Sequence, residues 1–390
     1  MIISVGKEGV SSYTHGWLKN MAQWSGIDKE DIELVSICDP DEFYLALRPQ
    51  TTKWRVIGGS ESFYEQMYIN FADAVCVGEG FQFFKDYKKH KNILKVFEQP
   101  YMFTREKNEV VASDIVDWNL CPLIRVGPKK IMTLGSRGCK NKCKFCFTSW
   151  TTKNQIRPPL NFYKKGYTFN YISNDHIGSE KVKATVKSMT VKQYLNLTYT
   201  EAKSARVYRF GIEGFREDTR KWLGKPIDDL AIKNALHIAK KMNHQIVLFF
   251  IFGIEEKEDI ERFVEYIGYD LSMQPRIMMK GTYFAPDLHT PLQGYDIRRI
   301  KQINKEWLYG KLKSFTPRWK LNLRADMGYR LWRAAFHRLT EKDEIVNFWK
   351  LRNKNASEVF KYIETNSLNK VYDTPANTSV VFSWRKSFVS

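Results

Sequence analysis

Three cysteines close together constrain this chain more than any other feature. Cys139, Cys143 and Cys146 stand in C-x3-C-x2-C spacing within residues 136–146, a segment opened by Gly138 and directly preceded by the apolar stretch 130–134. Three thiols this close on one loop suit a single inorganic centre. Structural zinc requires a fourth ligand, and none stands nearby. The next histidine is His176, and the other cysteines, Cys38, Cys76 and Cys121, lie upstream. A cubane iron–sulfur cluster is normally held by four thiolates, so three would leave one iron open to a substrate or cofactor. The loop therefore points to a 4Fe-4S cluster on Cys139, Cys143 and Cys146, with zinc or an inert loop as the alternative.

This spacing, with the aromatic Phe145 just before the last cysteine, resembles the signature of the radical SAM superfamily. The resemblance implies that S-adenosylmethionine chelates the open iron through its amino and carboxylate groups. It also implies that an electron from the cluster breaks the sulfonium bond, and that the resulting 5'-deoxyadenosyl radical removes a hydrogen atom from an unactivated carbon. The cofactor carries such chemistry while the protein positions and shields it. An electron donor such as flavodoxin or ferredoxin is implied as a partner.

At 390 residues the chain is long enough for two or three domains, each with its own core. Residues 1–5 read as a strand rather than a charged leader, so no secretory signal is expected. The strongest apolar run, 246–252, is too short to span a bilayer and is bordered by His244 and Glu255. Six cysteines, three of them clustered, suit a reducing compartment and metal use better than a disulfide framework. The expectation is a soluble, cytoplasmic protein with no membrane partner.

The fold reads as α/β in three parts. Residues 1–95 alternate strands (1–5, 32–37, 54–57, 74–77) with helices (13–24, 61–71, 81–89), as in an open parallel sheet. Gly58-Gly59 and Gly78-Glu79-Gly80 follow two of these strands. Glycines there either let backbone approach a ligand or simply turn the chain into the next helix. The order of these pieces resembles the Rossmann-like domain that precedes the barrel in cobalamin-dependent radical SAM enzymes. It departs from domains that ligate cobalt from below, because there is no Asp-x-His-x-x-Gly sequence and the only histidines of this part are His15 and His90. The resemblance leaves two options open, a cobalamin held without histidine and a domain that has lost it. Methylthiotransferases of the superfamily hold a second cluster on three more cysteines. Here only Cys38, Cys76 and Cys121 are available, and Cys76, inside an apolar strand, reads as a buried, inert thiol.

Residues 96–129, with Pro100, Pro122 and Pro128, read as a connector. Residues 130–294 read as a partial (β/α)6 radical SAM barrel, which places chemistry at the carboxyl ends of its strands. Strands are expected at 131–134, 168–172, 207–210, 245–252 and 276–283, with a third strand somewhere in 181–197, where the pattern does not separate strand from helix. By the resemblance, Phe145 packs on the adenine. Glu213, in Gly211-Ile212-Glu213-Gly214, contacts the methionine or ribose part of SAM. Ile251 and Gly253 lie beside the adenine in Phe249-x-Ile251-x-Gly253-x-x-Glu256, with Phe249 where the family has glycine. Pro286 with Thr290-Pro291-Leu292 closes the sixth strand. Asn174 ends the second strand as a further cofactor contact. Each has a plain structural alternative: Glu213 as a rim carboxylate, Asn174 as a helix cap, and Tyr171, Tyr208 and Tyr283 as core rather than proton or radical relays.

The net charge of +19 is unevenly placed. Residues 1–127 hold 14 Lys and Arg against 18 Asp and Glu, a net of −4, so the remainder carries +23. Such a field favours a polyanion. Residues 295–390 read as a mainly helical, basic, aromatic-rich C-terminal domain, where Arg318, Lys320 and Arg324 are candidates to bind a nucleic-acid strand. Trp307, Trp332, Phe336, Phe348 and Trp349 fall near helical spacing and read as core. The leading reading is thus a radical SAM enzyme that modifies a nucleic-acid base or a substituent on one. The alternatives are a cobalamin-dependent radical SAM methyltransferase or ring-modifying enzyme acting on a small metabolite or peptide, and a nucleic-acid-binding protein whose cluster is structural or redox-sensing.

Overall fold

Period-two alternation decides which way the N-terminal strands face. In the computed structural model, β1 (Ile2–Val5), β2 (Ile32–Ser36), β3 (Trp54–Gly58) and β4 (Ala74–Cys76) pair in parallel and in chain order, and β5 (Met102–Phe103) adds to β4 antiparallel. Leu34, Val56 and Ala74 share one core with residues of α1 (Val10–Ser25) and α2 (Phe81–His90). Their neighbours Val35, Ile57 and Val75 belong to a second core that contains Phe43 and Tyr68. The structure describes residues 1–6, 10–121, 123–128, 130–158, 168–172, 186–268, 276–315, 320–325, 327–368, 370–373 and 380–381.

The helix expected over 61–71 is broken. Ser60–Phe63 and Ile69–Phe71 are 3-10 turns flanking a single α turn, Glu65–Tyr68. Tyr64 leaves helical geometry (φ −104°, ψ 47°), and its ring stacks on His337 with centroids 3.7 Å apart. A tertiary contact has overridden local propensity there.

β6 (Lys130–Leu134) pairs in parallel with β7 (Thr168–Ile172). A second sheet holds β8 (Val186–Ser188), β9 (Val207–Glu213), β10 (Gln245–Phe252) and β11 (Ile277–Tyr283), all parallel. The third barrel strand, which the sequence pattern could not isolate, is therefore the three-residue β8. Helix α3 (Asp229–Lys241) shows how the barrel helices are specified. The Asp228 carboxylate accepts from the Ala231 N–H at 2.6 Å, lysines occupy the last turn, and Ile232, Ala235, Leu236 and Ala239 form the buried stripe. Helix α4 (Lys257–Gly268) follows β10.

The C-terminal part departs most from expectation. After α5 (Lys305–Phe315), β12 (Lys320–Ala325) pairs in parallel with β11 and extends the barrel sheet beyond residue 294. Helices α6 (Met327–Phe336), α7 (Lys342–Trp349) and α8 (Ala356–Thr365) bury Trp332, Phe336, Phe348 and Ile363 in the same core that contains Tyr68 of the N-terminal part and Phe250 of the barrel. These helices share that core instead of building one of their own. Val380–Val381 then pairs in parallel with Val110–Val111. Among the described residues, no helix is long and apolar enough to cross a membrane.

Candidate active site at the cysteine loop

Strand β6 delivers the cysteine loop to the carboxyl end of the barrel. Gly138 turns it with φ 66°, and a Cβ there would lie 2.4 Å from the Lys153 carbonyl oxygen, so the position requires glycine. Lys142 also adopts a left-handed conformation (φ 48°). The peptide around Cys143 is pinned from both sides: Lys144 N–H donates to the Leu223 carbonyl at 2.9 Å, and Trp150 Nε1–H donates to the Cys143 carbonyl at 2.9 Å. Cys139 and Cys143 are buried, and Cys146 is half-buried at the start of the short helix Phe147–Thr151.

This donor set fits an iron–sulfur cube. A cube takes each thiolate on a different iron, so three cysteines on one loop are the donors it asks for; a ready site for a single metal ion is not found among the described residues. Burial pushes the Cys143 thiol up to about 11, and the Lys225 ammonium pulls the other way. Metal ligation requires the thiolate, and Lys225 is the cation that favours it. Of the remaining cysteines, Cys38 and Cys76 line the cavity that adjoins this loop. Cys76 and Cys121 belong to the N-terminal core, with burial pushing both thiols up to about 12.

At the end of β9, pairing with β10 shifts register between Gly211 and Glu213, and Glu213 adopts φ 72°. Its Oε1 accepts from Lys225 Nζ at 2.9 Å, both side chains being largely buried. Burial alone would lower the Lys225 pKa, but the Glu213 carboxylate, and after it Cys143, outweigh burial and hold it above the ordinary lysine value. A Cβ on Gly211 would lie 2.2 Å from Glu213 Oε1 and 2.3 Å from Lys225 Nζ, so this glycine makes room for the pair.

Two residues that sequence reasoning missed hold the turn after Glu213. Glu255 accepts from Phe215 N–H at 2.8 Å and Arg216 N–H at 2.7 Å. Arg220, fully buried, donates to the carbonyls of Gly214, Phe215 and Ile227 at 3.1, 3.0 and 2.6 Å, and pairs with Asp229. The family-like motif names Glu256 instead, yet Glu256 is exposed and paired with Lys301. Ile251 is buried. Gly253 has φ 93°, and a Cβ there would meet Ile300 Cγ2 at 2.5 Å. Phe145 is half-buried against the main core. Tyr208 and Tyr283 are buried and hydrogen-bonded to backbone, Tyr208 to the Ala202 carbonyl at 2.7 Å and Tyr283 to the Ile303 carbonyl at 3.1 Å, as core tyrosines are. Asn174 and Arg318 lie outside the described residues, as does the side chain of Arg324, whose backbone belongs to β12. Lys320 is exposed at the start of β12.

Between the cysteine loop and the carboxyl ends of β2, β3 and β4 lies a cavity of about 430 Å³. Ser36, Gly58, Gly78 and Glu79 line it from the N-terminal sheet, and Arg137 and Phe147 from the cysteine-loop side. Arg137 Nε donates to Glu79 Oε1 at 2.6 Å across this junction. Gly78 (φ 92°) closes β4 where a Cβ would strike the Ser113 carbonyl at 2.3 Å. Trp17 also lines the cavity, and its indole Nε1 is buried without a hydrogen-bond partner. Among the described residues, no histidine lines the cavity, so a cobalamin held here would rest on none of the described histidines.

Several other cations of residues 295–390 are paired internally. Arg338 donates to the carbonyls of Pro286 and Gln293 at 3.1 and 2.7 Å, Arg330 to Thr282 Oγ1 at 2.5 Å, and Arg333 lies 3.7 Å from Asp287. Arg298 and Lys311 pair with Asp296 and Glu265, both at 2.9 Å.

The architecture is thus a parallel N-terminal sheet with a cavity at its carboxyl edge, followed by a partial barrel opened by a three-cysteine loop. No protein-family model matches the chain, and no curated protein matches it in sequence. The solved structures that resemble it include the radical S-adenosylmethionine methyltransferase TsrM from Kitasatospora setae. With cobalamin and a [4Fe-4S] cluster bound, TsrM aligns over 90% of this chain and 92% of its own at 8% identity and TM-score 0.51. With tryptophan substrate and the SAM analogue aza-SAM bound, it aligns over 73% of this chain and 68% of its own at 9% identity, again with TM-score 0.51. The likeness is one of fold.

Proposed function

We propose that this chain is a radical SAM enzyme of the cobalamin-dependent methyltransferase kind, acting on a small metabolite or peptide. The observation that carries the reading is the cavity between the carboxyl edge of the N-terminal sheet and the cysteine loop, one space bordered by both cofactor-type elements. TsrM, of the same fold, carries cobalamin and a [4Fe-4S] cluster. When bound, the cluster with SAM supplies reductive cleavage of the sulfonium bond, and cobalamin supplies a carrier for the methyl group.

The chain's own residues supply the setting. Cys139, Cys143 and Cys146 would hold the cluster, and Lys225 places positive charge beside the thiolate of Cys143. Glu213, locked by Lys225, presents a carboxylate at the mouth of the barrel, suited to a ribose or amino group. Phe147 packs edge-on against Phe63 at 5.5 Å and so seals the junction between the loop and the N-terminal part. Internal pairing of Arg330, Arg333 and Arg338 favours a small substrate over a nucleic-acid strand, since those cations are taken. An electron donor such as flavodoxin or ferredoxin is needed in either case.

The test is anaerobic reconstitution with iron, sulfide and cobalamin, followed by quantifying 5'-deoxyadenosine and S-adenosylhomocysteine from SAM plus reductant. Small indoles, peptides and single-stranded RNA would be compared as substrates. Turnover with the small molecules and none in Cys143→Ala is the expected result. Turnover only with RNA would move the substrate to nucleic acid. No product from an intact, reduced cluster would leave the cluster a structural or redox-sensing role.

A further inference from the structure

We propose a second ligand site, on the opposite edge of the N-terminal sheet, which takes the phosphoryl head of a small phosphorylated molecule. Arg55 stands near the start of β3 and Gly58, which lines the cysteine-side cavity, at its end, about 10 Å away along an extended strand. Arg55 lines a separate cavity of about 310 Å³ together with Arg48, Arg105 and Lys342.

The charges around this cavity do not cancel. Arg55 is buried and donates from Nε to Glu33 at 2.7 Å and from Nη1 to the Ala46 carbonyl at 3.3 Å, while its Nη2 is buried and has no hydrogen-bond partner. A buried guanidinium donor left unfilled is costly, and a planar guanidinium fork matches phosphate oxygens. Arg48, Arg105 and Lys342 are exposed, and none forms an ion pair within 4 Å among the described residues, although Arg105 is close enough to help lower the pKa of its neighbour Glu106. The lining carboxylate, Asp73, already accepts from Gln50 Nε2 at 3.0 Å and from the Arg55 N–H at 2.8 Å. With Glu33 balancing Arg55, three cations face one committed carboxylate.

The cations come from three distant parts of the chain: the loop before β3, the connector after β5, and the first turn of α7. Asn70 Nδ2 donates to the Thr340 carbonyl at 2.9 Å beside them, so the N-terminal and C-terminal parts already meet here. Phe71 lines the same space with the Lys342 ammonium 5.7 Å from its ring, leaving an apolar face for the organic part of the ligand. A recessed cavity with one buried arginine suits a head group, whereas a running strand needs a row of surface cations.

Calorimetric titration of the full chain with inorganic pyrophosphate and with ADP tests this, alongside the Arg105→Gln/Lys342→Gln double variant. The wild type is expected to bind both probes and to gain melting temperature with them. The double variant should bind at least about tenfold more weakly, with unchanged melting without ligand and unchanged SAM cleavage. Arg55→Lys, which keeps a cation for Glu33 but loses the fork, should lose binding while its circular dichroism stays native. No binding of either probe at about 10 mM, equal binding by the double variant, or binding of an oligonucleotide but of neither probe would each overturn the proposal.

Discussion

Lys225 Nζ lies 2.9 Å from Glu213 Oε1, and the pair occupies space that a Cβ on Gly211 would fill. Glu213 itself is held at φ 72°, a conformation that costs a non-glycine residue about 1 kcal/mol or more. The pair is the arrangement that ties the end of β9 to the charge around Cys143.

Replacing Lys225 with Met should therefore act on stability and on chemistry. It leaves a largely buried carboxylate without its cation, which costs about 1–3 kcal/mol, readable by urea unfolding of the protein without its cluster. SAM binding to the reconstituted enzyme should weaken as well. Gly211→Ala, whose Cβ would collide with both partners, should reproduce the loss of SAM affinity. Unchanged SAM affinity in both variants would show that the pair has no cofactor role.

Two adjacent carboxylates should separate sharply. Glu255→Gln removes the charge that accepts the Phe215 and Arg216 amides in a buried turn, and charged acceptors contribute about 1.5–3 kcal/mol. Glu256→Gln, at an exposed pair with Lys301, should change stability by less than about 0.5 kcal/mol. Equal effects in thermal melts would refute the assignment of Glu255 as the clamp.

The junction between the N-terminal and C-terminal parts rests on another buried pair. His337 Nε2 and Glu61 Oε2 are 2.7 Å apart, and both side chains are almost fully enclosed. His337→Ala strands the carboxylate, with an expected cost of about 3 kcal/mol. A Glu61→Leu/His337→Leu double variant should recover most of that, because it strands nothing. A double variant as unstable as the single one would mean that the pair itself, not the stranded charge, supplies the stability.

Stability should fall in mild acid through His244. Its Nδ1 is 2.7 Å from the Tyr194 hydroxyl, and burial holds its pKa below the ordinary histidine value. The unfolded chain therefore takes up a proton near pH 6.5 that the folded chain resists. The contribution is complete above that pH and declines as pH falls through it toward the folded value, by at most about 1.4 kcal/mol per pH unit. Denaturation midpoints measured from pH 8 to 5 should show this slope, and His244→Gln should flatten it.

Much of the site was legible because its signals are local. The cysteine spacing, Gly138 and the glycines at the ends of β3 and β4 answer to demands made within a few residues, and the long strand β10 reads off its own apolar run. β8 was not legible, because three residues are too few to establish a period. Glu255 was hidden beside Glu256, since which of two neighbouring carboxylates turns inward depends on where the chain bends after β10.

The sequence by itself determined the three-cysteine loop, the parallel α/β character of both halves and the order of the barrel strands, since thiol spacing and apolar alternation are written in consecutive residues. Only the tertiary structure decided that β12 belongs to the barrel sheet, that the C-terminal helices share its core, and that Arg330, Arg333 and Arg338 are used internally. It alone formed the two cavities at opposite edges of the N-terminal sheet. A net charge counts cations without saying which of them find partners, and partners far apart in the chain meet only when the packing of the core brings them together.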